Sequence, residues 1–348
     1  MALFRTFSRT GSRSDREEKL QLIPETESMA RIKEEWYIIV NPHAGSGKTM
    51  RYWVPAEKKM RELGIPYYTH YTTHKHHATE LAALAARMGY RKIMAVGGDG
   101  SIHEVFDGVL GWCADSGTDP SEFYLAVAPI GSGNDWIKSF GIKRDVEKVL
   151  EYVAKNSFVQ EDVVKVTLAG DKVAYMANIG GLGFDSHVCE RVNAQKERGM
   201  RSSRIYLNSL FYNFAHAKAF NATFYCDDEQ VYSGPILDIA FGNGSYCGGG
   251  MQQCNLADPS DGILDAVIVP KAPISKLLPE VPRLLRSSLD QSKVIMYVRG
   301  KNFKVVPLDE DSADIMEIDG EIAGNLPIEI AILPNQKINV LANPDCLK

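Results

Sequence analysis

Lys92-Ile93-Met94-Ala95-Val96-Gly97-Gly98-Asp99-Gly100-Ser101-Ile102-His103-Glu104-Val105-Phe106-Asp107-Gly108-Val109-Leu110 is the stretch whose reading decides the fold. Residues 92–96 form a short apolar run of the kind found in a buried parallel strand. Apolar residues then recur at 102, 105, 106, 109 and 110, which is helical spacing. Strand, glycine turn and helix in that order bring backbone N–H groups and the positive end of a helix dipole to a place where an anion can sit. Gly97, Gly98 and Gly100 permit φ > 0 and carry no Cβ to hold a phosphate away. Asp99 is then an acid beside a phosphate site, suited to a ribose or a metal-bound water. An ordinary tight turn in an α/β protein has the same local look, so the neighbouring segments decide.

Upstream, Trp36 to Val40 reads as a strand that runs into Asn41-Pro42-His43-Ala44-Gly45-Ser46-Gly47-Lys48-Thr49. The end of this run has the Gly-Lys-Thr of a Walker A loop, but proline occupies position 42 where that loop needs glycine. What remains is a small-residue turn between strand and helix, suited to lining a nucleotide. Downstream, Tyr124 to Ala128 is followed by Pro129-Ile130-Gly131-Ser132-Gly133-Asn134-Asp135-Trp136, a second glycine-bearing turn. Three such turns converge at the carboxyl edge of one parallel sheet, where doubly wound folds bind ligands. Asn134 and Asp135 then share a crevice with Asp99. Four of the eight histidines fall between 70 and 77. Their spacing does not set two ligands and an acid on one helix face, so they read as a polar loop before a helix that begins near residue 77.

From about Asp162 the texture changes to short alternating strands, which predicts a sandwich or partly closed barrel. The expected strands are 163–168, 173–178, 222–226, 236–242, 264–269, 292–298, 304–306, 315–318, 328–333 and 337–341. A basic insertion from Ser186 to Phe220 (with Arg191, Lys196, Arg198, Arg201 and Arg204) and a segment from Ile274 to about Leu289 read as helical. Both are placed to cover a sheet face, or to frame an apolar slot that meets a lipid surface. The expected organisation is a disordered tail over 1–33, an α/β nucleotide-binding domain with a doubly wound, mostly parallel sheet over 34–158, and a mainly-β sandwich domain with helical insertions over 159–348. The 348 residues carry 45% hydrophobic and 24% charged side chains, which is the composition of a soluble globular protein. A net charge of −5 argues against a general nucleic-acid binder. The tail lacks the apolar core of a signal peptide, and no apolar stretch approaches the ~18 residues that cross a bilayer. Six scattered cysteines without a CxxC pair read as reduced thiols. Together these predict a cytoplasmic protein, with peripheral membrane association and pairing through exposed edge strands both compatible.

The ordered set of motifs resembles the diacylglycerol kinase/sphingosine kinase family of lipid kinases, bacterial type. It comprises Asn41-Pro42 with Gly45, Gly47 and Lys48, then Gly97 to Ser101 with Glu104 and Gly108, then Gly131 to Asp135. Asn178-Ile179-Gly180-Gly181-Leu182-Gly183-Phe184-Asp185, Asp261-Gly262 and Asp319-Gly320-Glu321 follow in the family's order. The resemblance implies ATP lying along Asn41, Pro42, Ala44, Gly45, Ser46, Gly47, Lys48, Thr72, Gly98, Asp99, Gly100, Ser101, Glu104 and Ser132. It implies Glu321 as the base that activates a lipid hydroxyl, with Asp99 and Asp135 completing the network around the phosphates and their Mg2+. It also implies a second, structural magnesium held by Asp261 with the carbonyls of Asp258 and Ile263, and linked to Asp162 through water. Two departures stand out. Serine replaces the usual threonine at 101 and keeps the hydroxyl, and Gly133 replaces a second small polar residue.

Independent chemistry agrees with this assignment. Phosphoryl transfer demands positioning of charge more than covalent help, which turn glycines, helix dipoles and Lys48 supply. A primary alcohol also needs a carboxylate within hydrogen-bond reach to take its proton. A nucleotide- or lipid-binding sensor without turnover, and a soluble-substrate kinase of the NAD-kinase type, are the alternatives. Retention of Asp99, Asp135 and Glu321 together favours the lipid kinase.

Overall fold

The computed structural model describes residues 32–131, 133–198, 209, 218–309 and 314–346. The expected tail, apart from its last two residues, Ser132, and most of the basic insertion after residue 198 lie outside the described residues. Strands β1 (Trp36–Val40), β2 (Tyr67–Tyr71), β3 (Lys92–Gly97) and β4 (Tyr124–Pro129) run parallel in the order β2-β1-β3-β4. Every residue of β1 is buried, as are the last five of β3 and of β4, so a continuous apolar run rather than alternation marks these strands. Helices α1 (Thr49–Glu62), α2 (His77–Arg87), α3 (Asp99–Ser116), α4 (Trp136–Ser139) and α5 (Val146–Ala154) connect and cover them. The alanines of α2 let α3 approach closely: a Cβ on Gly108 would stand 2.3 Å from the Thr79 carbonyl oxygen.

The second half is built from antiparallel strands. They are β5 (Phe158–Leu168), β6 (Lys172–Met176), β7 (Ile179–Gly183), β8 (Phe220–Cys226), β9 (Glu229–Gly242), β10 (Tyr246–Cys247), β11 (Met251–Gln252), β12 (Leu264–Pro270), β13 (Met296–Gly300), β14 (Asn302–Pro307), β15 (Ile315–Ile318), β16 (Glu321–Asn325) and β17 (Ile328–Leu341). The fold class is therefore the expected one, an α/β unit with a mostly parallel sheet followed by a β-rich unit. Three local expectations are corrected. The strands expected at 328–333 and 337–341 are one, β17, because the polar Pro334-Asn335-Gln336 stretch forms an irregularity between Ile332 and Lys337 rather than a chain reversal. The strand expected from Ser292 starts at Met296, since the Ser292 hydroxyl oxygen accepts the N–H groups of Val294 and Ile295 and turns the chain. The helical segment from Ile274 is broken into α7 (Ile274–Leu277), a 3-10 turn and α8 (Val281–Leu285), where Pro279 and Pro282 remove backbone donors. In the insertion, the described helix is α6 (Phe184–Glu197).

Two hydrophobic cores result. One packs β1, β3 and β4 between the helices, and the other fills the β-rich half around Phe224, Phe241 and Phe303. β17 belongs to both: Ile328 and Ile330 sit in the second core, whereas Ile338, Val340 and Leu341 sit in the first. It pairs in parallel with β4 through Asn339 and Val340 and antiparallel with β5 and β14. One strand thus ties the two halves at the edge of the parallel sheet. No helix among the described residues is long and apolar enough to cross a membrane.

Candidate active site

The turn after β3 does not use left-handed backbone. Gly97, Gly98 and Gly100 all avoid positive φ, contrary to what their permissiveness invites. Crowding is the reason Gly97 and Gly98 are glycine. A Cβ on Gly98 would lie 2.8 Å from Gly131 Cα, and one on Gly131 would lie 2.4 Å from Gly98 Cα. The β3 and β4 turns therefore touch backbone to backbone, and any side chain here would part them. The Gly131 carbonyl is held by Asn134 Nδ2 (2.8 Å) and Arg144 Nη2 (2.6 Å). Gly45, after β1, closes in from the other side, with its Cβ position 2.4 Å from the Ile130 carbonyl oxygen. Three strand-end turns thus meet at one point of the carboxyl edge, as expected.

Asp99 and Asp135 are brought together there. Asp99 Oδ1 accepts the backbone N–H of Asp135 (2.7 Å) and of Trp136 (3.2 Å), fastening the start of α4 to the Asp99 turn. Burial pushes the Asp99 carboxyl above the usual carboxylate range, with the Asp135 charge adding to the effect and those backbone donors opposing it. Asp135 Oδ1 is ion-paired with Lys138, and its Oδ2 accepts the Gly249 N–H at 2.7 Å. Gly133 marks the space between the two acids. A Cβ there would stand 2.9 Å from Asp99 Oδ2 and 3.4 Å from Asp135 Oδ2. The departure from the family pattern at 133 thus leaves open a gap walled by two carboxylate oxygens.

Glu321 reaches this place from the β-rich half. It opens β16 after the Asp319-Gly320 turn, whose two residues both have positive φ (52° and 90°), as a two-residue hairpin requires. Its Oε1 lies 3.9 Å from a Cβ position on Gly100, and its Oε2 lies 3.3 Å from Lys75 Nζ. The hairpin is anchored by Asp319, whose side chain is almost fully buried. Oδ1 accepts the N–H groups of Asn178 (2.8 Å) and Ile179 (3.1 Å), and Oδ2 accepts that of Ala177 (2.9 Å). Across the crevice, His103 Nδ1 stands 2.9 Å from Asp319 Oδ2, so α3 is latched directly to the Glu321 hairpin. His103, Lys75, Lys138 and Gly249 are not singled out by sequence alone. The first sits inside the decisive stretch, two residues beyond Ser101, where an ionisable residue among Ile102, Val105 and Phe106 is the available signal.

The His103 latch carries a pH dependence. Burial presses the imidazole pKa down, but the hydrogen bond and charge of Asp319, with the charges of Asp107 and Glu321, leave it raised overall. A raised folded-state pKa adds stability that is complete below the unfolded value of about 6.5 and is lost as pH rises through the folded value. The loss in urea midpoint caused by His103→Gln is therefore expected to be larger at pH 6 than at pH 9. Equal losses at both pH values would show that the pair carries no charge.

The remaining expected nucleotide residues divide. Asn41 forms a turn in which its Oδ1 accepts the His43 N–H (2.9 Å), with Pro42 between them. Ala44 lies beside Gly97, and Thr49 Oγ1 donates to its carbonyl (3.0 Å). Ser46, Gly47 and Lys48 are exposed at the rim, and Lys48 makes no ion pair among the described residues. Thr72 is buried, its N–H bonded to the Val40 carbonyl at 2.9 Å, and Ser101 is buried with its N–H on the Gly98 carbonyl at 2.9 Å. Glu104 has a structural task as well. Its two carboxylate oxygens accept the N–H groups of His76 (3.3 Å) and Ala78 (3.0 Å), so it caps α2. His76 has φ +62° and supplies no side-chain cap of its own, which is why the cap comes from α3. Ser132 lies outside the described residues.

Comparison with known proteins finds a known domain in each half of the chain. Residues 35–166 match the diacylglycerol kinase catalytic domain, and residues 178–342 match the YegS C-terminal NAD kinase beta sandwich-like domain. The chain carries a diacylglycerol kinase catalytic domain. A diacylglycerol kinase of Mycobacterium tuberculosis is 23% identical over 297 residues, covering 85% of this chain and 91% of that one. A crystal structure described as a diacylglycerol kinase of Bacillus anthracis superposes with a TM-score of 0.70 at 22% identity, covering 90% of this chain and 99% of that one. Yeast NADH kinase shares the fold more distantly, with a TM-score of 0.50 at 13% identity over 89% of this chain and 83% of its own.

At the second magnesium site that family resemblance implies, the carboxylates already hold protein cations and N–H donors. Asp258, Asp261, Ile263 and Asp162 gather around the 258–263 turn, and the side chains of its three acids already have partners there. Asp258 Oδ1 accepts Ser260 N (3.0 Å) and Oγ (2.7 Å), while Asp261 Oδ1 accepts the Ile263 N–H (2.9 Å) and Oδ2 pairs with Arg299 (2.9 Å). Asp162 Oδ2 accepts the Gly262 N–H (2.7 Å), and Oδ1 pairs with Lys337 Nζ at 2.9 Å. That ammonium also donates to the Ser260 carbonyl at 2.7 Å, so a lysine bridges the turn to β5. Among the described residues no group of three or more His, Cys, Asp or Glu is arranged to hold a metal ion. A chelator is expected to leave the thermal midpoint of the nucleotide-free protein unchanged. Lys337→Met strands the buried Asp162 carboxylate and is expected to lower that midpoint by about 5 °C or more. A wild-type midpoint that rises with added magnesium would restore the metal to this turn.

Proposed function

We propose that this chain transfers the γ-phosphoryl group of ATP to a primary hydroxyl of a lipid. The observation that supports it best is the placing of Glu321. A carboxylate from the β-rich half stands over Gly100, while Asp99 and Asp135 flank the same turn from the α/β half. The three touching turns would hold the nucleotide, with the start of α3 offering N–H groups to phosphate and Lys48 a cation at the rim. Asp99 and Asp135 are the residues that would hold the accompanying magnesium, in the gap at Gly133, and Asp135 would release Lys138 to do so. Magnesium bound with the nucleotide offsets charge on the β- and γ-phosphates. Glu321 accepts the proton of the lipid hydroxyl as the hydroxyl oxygen bonds to the γ-phosphorus and the bond to the bridging oxygen breaks, releasing ADP. Lys75 holds the carboxylate toward the crevice until substrate enters.

The test incubates the protein with labelled ATP, magnesium and mixed micelles holding diacylglycerol, monoacylglycerol and a sphingoid base, with NAD as a soluble acceptor alongside. Label in one lipid is the expected result, and the labelled species names the substrate. Label in NAD alone would assign the NAD-kinase type. Nucleotide binding without transfer to any acceptor would assign a sensor.

A further inference from the structure

The segment from Ile274 to Leu285 covers the outside of the β-rich half and carries an apolar stripe that nothing in the fold uses. The backbone stays right-handed helical through the proline breaks at Leu277, Leu278, Glu280 and Val281. Its inward face is set by Leu277, Glu280 and Leu284, the last packed on the small core of Ala240, Cys254, Val267 and Leu289. The opposite face presents Ile274, Leu278, Val281 and Leu285 at spacings of four, three and four residues, with 58%, 59%, 44% and 69% of their surfaces exposed. Four large aliphatic side chains on one helical face, this open to water, mark a binding surface rather than chance exposure.

Charge says what it binds. Lys271, Lys276 and Arg286 flank the stripe, are exposed, and make no ion pair among the described residues, while Arg283 is paired with Glu280 (3.1 Å). An apolar helical face bordered by cations fits an anionic lipid surface, with aliphatic side chains among the acyl chains and basic ones at the headgroups. Position agrees. α8 packs against β11, and the β10–β11 hairpin that it leans on reaches back through the Gly249 N–H to Asp135 Oδ2, at 2.7 Å. The stripe is thus one hairpin away from the carboxylates of the candidate site. We infer that the 274–285 stripe is the face by which this chain docks on anionic membranes, placing the crevice at the headgroup level. This inference rests on the lipid-kinase reading for its use, but not for its observations.

Vesicle co-sedimentation tests it on the full chain, with phosphatidylcholine vesicles and with the same vesicles containing about 30% phosphatidylglycerol. Wild-type protein is expected to bind the anionic vesicles, with affinity falling as salt rises. The double substitution Leu278→Glu/Leu285→Glu is expected to weaken that binding about tenfold or more. Lys276→Glu/Arg286→Glu is expected to remove the preference for anionic vesicles while the thermal midpoint stays at the wild-type value. No binding of wild type to either vesicle, or wild-type binding by the leucine variant, overturns the proposal. So does a wild-type dimer in sedimentation velocity that the leucine variant splits while still binding vesicles, which would assign the stripe to a second copy. Failure of the kinase reading looks different, as vesicle binding without phosphate transfer to any lipid.

Discussion

Replacing Glu321 by Gln is expected to lower turnover by about 10²–10⁴-fold while leaving the affinity for magnesium-ATP nearly unchanged. Gln keeps the shape and hydrogen-bonding reach of the side chain but cannot accept a proton, so the loss reports proton transfer alone. Glu321 approaches the turn after β3 at Gly100 and belongs to the β-rich half, so the nucleotide contacts proposed for the turns after β1, β3 and β4 survive the change. The contrasting substitution is Asp99→Asn. Asp99 fastens the Asp135 and Trp136 backbone to the turn and lines the gap at Gly133, so both nucleotide affinity and turnover are expected to fall. The measurement is single-turnover transfer with equilibrium nucleotide binding on the same preparations. If Glu321→Gln keeps more than about a tenth of wild-type turnover while chemistry limits the rate, proton acceptance passes to Asp99 or Asp135.

The second large effect is on stability. Asp319→Ala is expected to cost about 3–5 kcal/mol of unfolding free energy and to abolish turnover. Its carboxylate is buried and accepts three backbone N–H groups, from Ala177, Asn178 and Ile179, in addition to facing His103 Nδ1. Alanine leaves all of these donors buried without an acceptor. The chain before β7 then loses its hold on the hairpin, and Glu321, two residues beyond Asp319, loses its position. Urea denaturation measures the first effect and phosphate transfer the second. A stability loss below about 1 kcal/mol would mean that water replaces the carboxylate and that the hairpin is held by its other contacts. Asp319→Asn, which keeps one acceptor oxygen, is expected to fall between the two.

The α/β half was legible because its signals are local. A buried parallel strand is a continuous apolar run, a helix has its own period, and the turn between them is spelled by glycine; Lys92 to Leu110 contains all three. The convergence of the turns at 41–49, 97–101 and 129–135 follows from the parallel rule, since every strand points its carboxyl end to the same edge. Sequence by itself thus placed Asp99 and Asp135 in one crevice. It did not show why the glycines are there. Permissive φ was the local explanation, whereas contact between Gly98 and Gly131, from strands about thirty residues apart in sequence, is the tertiary one.

What the three-dimensional arrangement alone decided is where charged side chains spend their hydrogen bonds. Glu104 stands in the decisive motif, yet its oxygens cap a helix that begins 27 residues earlier, because α2 and α3 pack closely enough at Gly108 to bring that start within reach. Asp162 and Asp261 have the acidity a cation needs, but Lys337 and Arg299, supplied by β17 and β13, already neutralise them. The latch between His103 and Asp319 spans 216 residues of chain. No period or spacing encodes such pairings. A side chain's type is written in the sequence, but its partner is set by which backbones the cores and β17 bring side by side.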